Sequence, residues 1–117
     1  MIEARYKTYR DAKEWELAKI MADLLTKSFP DQVKWLINSS EAMREMGDPL
    51  GAIQTLKDAQ DRFSENAEYL FAVGRMHALL GELMEARKFV RQAIKLDSKF
   101  RVEFLEDSAF DEVWESF

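Results

Sequence analysis

Several residues of this 117-residue chain recur at intervals of 34. Gly47 and Gly81 stand one interval apart, and Pro30, Ser64 and Ser98 follow each other at the same step. So do Ala18, Ala52 and Ala86, and Leu25, Ala59 and Ala93. Laid without gaps on residues 67–100, residues 33–66 match at Leu36/Leu70, Gly47/Gly81, Ala52/Ala86, Ala59/Ala93 and Ser64/Ser98. A repeat of this length is one supersecondary unit, too small to bury its apolar face alone, so copies must stack. Small residues at 52, 59, 86 and 93 let two helices approach closely, while Leu56 and Val90 fill the seam.

The repeating unit is helical. Leu83, Ala86, Phe89, Val90, Ala93 and Ile94 follow steps of three and four, and nothing alternates with period two over a strand's length. Breaks fall at Phe29-Pro30-Asp31, Gly47-Asp48-Pro49, Ser64-Glu65-Asn66, Gly81-Glu82 and Asp97-Ser98. Asp48-Pro49 is a strong helix start, since Asp caps free amides and Pro at the first position gives up no hydrogen bond. Helices of about 13–16 residues joined by such short breaks must pack antiparallel. Near the N-terminus, Asp11 and Glu14 are spaced like a capping box. No Gly marks a turn there, which leaves two expectations: a helix hairpin, or one bent helix over residues 3–28.

Period and pattern together resemble the tetratricopeptide repeat (TPR), a 34-residue helix–turn–helix unit. The family's W-x2-L-G-x2-Y is matched by Leu70-x2-Val73-Gly74-x2-His77, and its A-x3-F by Ala52-x3-Leu56 and Ala86-x3-Val90. Ser39-Ser40 stand where Leu-Gly belongs, so the copy at 33–66 departs further. The resemblance implies an all-α solenoid in a single domain: a partial repeat over 1–32, repeats over 33–66 and 67–100, and a cap over 101–117. Asp107-Ser108-Ala109-Phe110 is similar to the Asp-x-x-Phe segment that often closes bacterial arrays.

The resemblance also implies a concave binding surface lined by the first helix of each repeat. Those positions are Lys34, Ile37, Asn38, Glu41, Arg44 and Glu45, then Glu68, Phe71, Ala72, Arg75, Ala78 and Leu79. The candidate contacts are Lys34, Ile37, Asn38, Glu41, Arg44, Phe71, Arg75 and Leu79, with Ile37, Phe71 and Leu79 as an apolar strip. Such a mix suits a peptide or helical segment of a partner protein. The alternative is that a neighbouring helix or the tail covers Ile37 and Phe71. Asn38 fits one place of the family's carboxylate clamp, but Glu68 and Ala72 stand where its Lys and Arg belong. Recognition of a chaperone's C-terminal carboxylate is therefore not expected.

Catalysis finds no foothold. His77 is the single histidine and there is no cysteine, so neither a thiolate metal site nor a cysteine nucleophile can form. Along its helix His77 neighbours Val73, Met76, Leu80 and Gly81, none of them the acid that a general base needs. It stands in the register of a packing aromatic. The acids at 106–112 lack the spacing and the Gly of a calcium loop, and no phosphate-binding glycine loop occurs. No catalytic residue, metal or cofactor is expected.

Charge sharpens the reading of the tail. Residues 103–117 carry six acids and no Lys or Arg, whereas the net charge of the chain is −5. The remainder is near neutral, so a phosphate-binding surface is not expected. Phe110, Val113, Trp114 and Phe117 follow helical spacing. The tail is read as a cap with an acidic outer face, with Phe110, Trp114 and Phe117 as candidate contacts to its own chain or to a neighbouring copy. Arg87, Arg91 and Lys95 form a basic ridge that could meet it. No apolar run reaches the ~20 residues of a membrane span, and the start, charged at positions 3, 5, 7, 10 and 11, does not read as the apolar region of a signal peptide, so a cytoplasmic protein is expected. The expected function is non-catalytic protein binding. The alternatives are a self-associating scaffold joined through the tail, and a small TPR chaperone for secreted substrates.

Overall fold

The computed structural model describes residues 1–115. The described chain is all-α: α1 (Ile2–Asp11), α2 (Trp15–Ser28), α3 (Val33–Glu45), α4 (Pro49–Lys57), α5 (Gln60–Phe63), α6 (Ala67–Leu79), α7 (Leu83–Leu96), α8 (Phe100–Glu106), a 3₁₀ turn (Ser108–Phe110) and α9 (Asp111–Glu115). Contacts divide it into two compact units, Met1–Asp58 and the residues from Ala59 onward.

In the N-terminal unit α1 packs on α2, α2 on α3 and α3 on α4. Residues 1–28 thus form the hairpin, not the bent helix. Asp11 ends α1 instead of capping the next helix, and Glu14 precedes α2 without a side-chain cap. The turn is made without glycine: Lys13 takes φ 58°, and the Glu14 N–H donates to the Tyr9 carbonyl. The other two hairpins turn the same way at the same register. Gly47 (φ 88°) and Gly81 (φ 79°) precede Asp48 and Glu82, whose N–H groups donate to the carbonyls of Met43 and His77. This is the left-handed helix ending that glycine favours, because a Cβ strains it.

Tyr6, Ala18, Ala22, Leu25 and Trp35 form the core between α1, α2 and α3, with the Tyr6 and Trp35 rings edge-on at 5.6 Å. The irregular Ser39-Ser40 pair is accommodated by hydrogen bonds. Ser39 Oγ donates to Asp23 Oδ1 on α2 at 2.6 Å, and Ser40 Oγ to the Ile37 carbonyl at 2.8 Å. A buried hydroxyl with a partner avoids the cost of an unmade bond. The Asp48 carboxylate accepts from the Gly51 N–H, giving α4 the cap its sequence called for.

The C-terminal unit is built on the α6–α7 pair. Asn66 caps α6 through the Tyr69 N–H. Gly74 lies against α7, where an added Cβ would meet Val90 Cγ2 at 3.0 Å and the Ala86 carbonyl at 3.2 Å. Facing it, Ala86, Val90 and Ala93 are fully buried. One element differs from the expectation. The run from Asp48 to Ser64 is not a single helix: α4 stops at Lys57, Ala59 leaves helical geometry at φ −101°, ψ 8°, and α5 resumes. Asp58 stands where the unbroken α7 has Gln92, and Asp is the poorer residue for a helix interior.

Candidate functional site

The candidate contacts on α3 lie on a partly open face. Lys34 is exposed, while Ile37, Asn38, Glu41 and Arg44 are half-buried. The Lys34 ammonium sits 4.6 Å from the Trp35 ring centre, and Lys34, Trp35 and Asn38 line a cavity of about 570 Å³ with Tyr6, Lys7 and Arg10 of α1. Glu3 shares that lining, so cations and an acid meet beside an aromatic wall. Burial lifts the Tyr6 hydroxyl above its ordinary pKa of 10.0, opposed by the Arg10 cation and its hydrogen bond. Farther along, Arg44 is held between Glu41 at 2.9 Å and Glu45 at 2.8 Å, so its cation is matched and that end of the face is left net acidic.

On α6 the equivalent positions are engaged by the chain's own tail. Phe71 is buried, with ring centres of Phe100 and Phe110 at 5.0 and 5.1 Å. Phe104 joins the cluster at 5.1 Å from Phe110. One turn on, Arg75 Nε donates to Asp107 Oδ2 at 2.7 Å, and Asp107 Oδ1 accepts from the Ala109 N–H. The two ends of the Asp-x-x-Phe segment therefore meet Arg75 and Phe71, which are four apart on one helix face. Of the two placements open for Phe71, the tail covers it. Leu79 is 39% exposed.

The tail itself is less regular than its spacing suggests. Phe110 closes the 3₁₀ turn, α9 follows, and both Phe110 and Val113 are fully buried. Trp114 stays half-exposed. Phe117 lies outside the described residues. Asp107 of the tail pairs with Arg75 on α6, and Arg91 and Lys95 of the basic ridge line a cavity beside Trp114.

His77 has a partner that helix spacing does not reveal. Its Nδ1 lies 2.9 Å from Glu82 Oε1, across the Gly81 turn, and its ring stacks on Phe89 at 5.5 Å and 6°. Sequence reasoning missed this acid by searching one helical turn, whereas the left-handed turn carries Glu82 back over the helix end. Within the pair His77 is buried, at 3% exposed, and Glu82 is open to solvent. It occupies the packing place its register assigns. Among the described residues, no three His, Asp or Glu side chains gather into a metal-binding group. No described helix is long and apolar enough to cross a membrane.

Neither a family model nor a curated protein matches the sequence. The fold does have a solved counterpart. The crystal structure of PcrH in complex with the chaperone binding region of PopD matches 96% of this chain and 79% of that one, with a TM-score of 0.65 and 15% identity. At that identity the likeness is one of fold: the chain is an all-α protein of antiparallel helix hairpins, like PcrH.

Proposed function

We propose that this chain is a non-catalytic, cytoplasmic protein-binding module of TPR type, a single array that holds a peptide or helical segment of another protein. The observation that carries the reading is the fold shared with PcrH, a protein solved in complex with a binding region of PopD. The open α3 face supports it independently. Lys34, Ile37 and Asn38 offer a cation, an apolar side chain and an amide beside the Tyr6–Trp35 cavity. That combination orients an amphipathic or extended segment by a few polar contacts around an apolar anchor. Because the tail covers Phe71 and Arg75, α3 offers the more accessible of the two faces. The PcrH complex also favours a narrower second reading, in which the module is a chaperone shielding an apolar segment of a secreted protein.

A photocrosslinking residue placed at Asn38, and separately at the exposed Met84 of α7, tests the reading in the native host. The expected result is a discrete protein adduct from position 38 alone, lost when Lys34→Glu is added. Identical adducts from both positions, or none from 38, would contradict it.

A further inference from the structure

A cavity of about 660 Å³ opens on the C-terminal unit where α7 meets α8 and α9. Its lining separates by chemistry. Ile94, Phe104, Leu105 and Trp114 are apolar; Arg91, Lys95 and Arg101 are cationic. None of the described lining residues is acidic, although the last fifteen residues of the chain hold six acids. Leu105 and Trp114 are 54% and 52% exposed, so the apolar wall is wet in the isolated chain. Adjoining apolar side chains left in water beside a polar rim mark an interaction surface more often than a random one.

We propose that this cavity is a second docking site, which takes an acidic segment of another protein. An apolar side chain of that segment inserts between Leu105 and Trp114 over Ile94 and Phe104, and its carboxylates pair with Lys95 and Arg101. Charge selects this occupant. A chain with net charge −5 repels acidic partners at long range, yet here the exposed Lys95 and Arg101 stand beside one apolar floor. The tail of a second copy is a poor alternative. It is acidic, but its apolar anchors Phe110 and Val113 are already fully buried in their own unit. This site goes beyond the α3 face and uses none of its residues.

The test is fluorescence anisotropy with the full chain and labelled peptides of about twelve residues, blocked at both ends, in which Glu alternates with Leu and Phe. The Glu peptide should bind saturably and weaken as salt rises, and replacing Glu by Gln should cost about tenfold in affinity. Lys95→Glu with Arg101→Glu should abolish that preference, and Leu105→Ser alone should weaken binding of both peptides. All three side chains are exposed, and unchanged thermal melting checks that the variants fold. Lys34→Glu on α3 should leave the affinity unaltered. The proposal is overturned if the Glu peptide fails to saturate at millimolar concentration, or binds the double variant as well as the parent. It is likewise overturned if Lys34→Glu removes binding, or if light scattering shows self-association that the same cavity substitutions abolish.

Discussion

Helices α3 and α6 occupy the same place in successive repeats, and they are put to different use. At equivalent positions, Ile37 is half-buried and Phe71 is buried beneath Phe100 and Phe110. Glu41 pairs with Arg44 on its own helix, whereas Arg75 reaches Asp107, thirty-two residues away. One repeated scaffold can therefore leave a face open in one copy and give it to its own terminus in another. The deciding residues are few: an aromatic at 71 with a cation at 75, matched by an acid and an aromatic in the tail. A terminal repeat needs such a cover, because stacking buries each repeat's apolar side only where a neighbour follows.

The contrast is broken most strongly at Phe110. Phe110→Ala should cost about 3–5 kcal/mol in urea denaturation, since a fully buried aromatic leaves a cavity that neighbours only partly fill. Ile37→Ala, on the open face, should cost about 1 kcal/mol and leave helix content unchanged. Similar losses at both positions would mean that the two faces are covered alike. Phe71→Ala is consequently a stability variant as much as a binding one, and Lys34 or Asn38 is the cleaner probe of partner contact.

The three hairpin turns sharpen the comparison at smaller scale. Gly81→Ala should destabilise by about 1 kcal/mol through backbone strain alone, because nothing lies within 4 Å of the added Cβ. Lys13→Gly should do the reverse, raising the melting temperature by relieving a left-handed lysine. If Lys13→Gly destabilises, the first turn is not equivalent to the other two.

Burial raises the pKa of Tyr69 above 10.0, and that of Tyr6 likewise, with Arg10 opposing the shift only at Tyr6. A tyrosine whose folded pKa is raised contributes stability that is fully present below pH 10.0 and lost as pH rises through the folded value. Unfolding followed by circular dichroism should therefore set in above pH 10, and Tyr69→Phe should delay it. A Tyr69→Phe variant that unfolds at the same pH as the parent would show that another group sets the alkaline limit.

Much of this fold is legible in the sequence because its repeat is written in small residues. Gly47 and Gly81 mark turns, Ala52, Ala86 and Ala93 mark helix contacts, and Asp48-Pro49 marks a start. What stays hidden depends on backbone geometry or distance along the chain. Lys13 makes a glycine-like turn that no residue preference signals. Glu82 reaches His77 only because the Gly81 turn folds it back, and Ser39 finds Asp23 on a different helix. The break at Asp58–Ala59 is masked by apolar spacing that continues across it. The register singles out Phe71 and Arg75 as partner contacts, and the structure gives both to the chain's own tail, through the motif at 107–110.

Solvent relaxation measured by NMR with a neutral soluble gadolinium chelate tests the contrast between α3 and α6 without altering the chain. The Ile37 methyl protons should relax strongly, and the Phe71 ring protons weakly, becoming strong only when Phe110→Ala loosens the tail. Equal enhancement at Ile37 and Phe71 in the unaltered protein would contradict a tail that closes one repeat and leaves the other open.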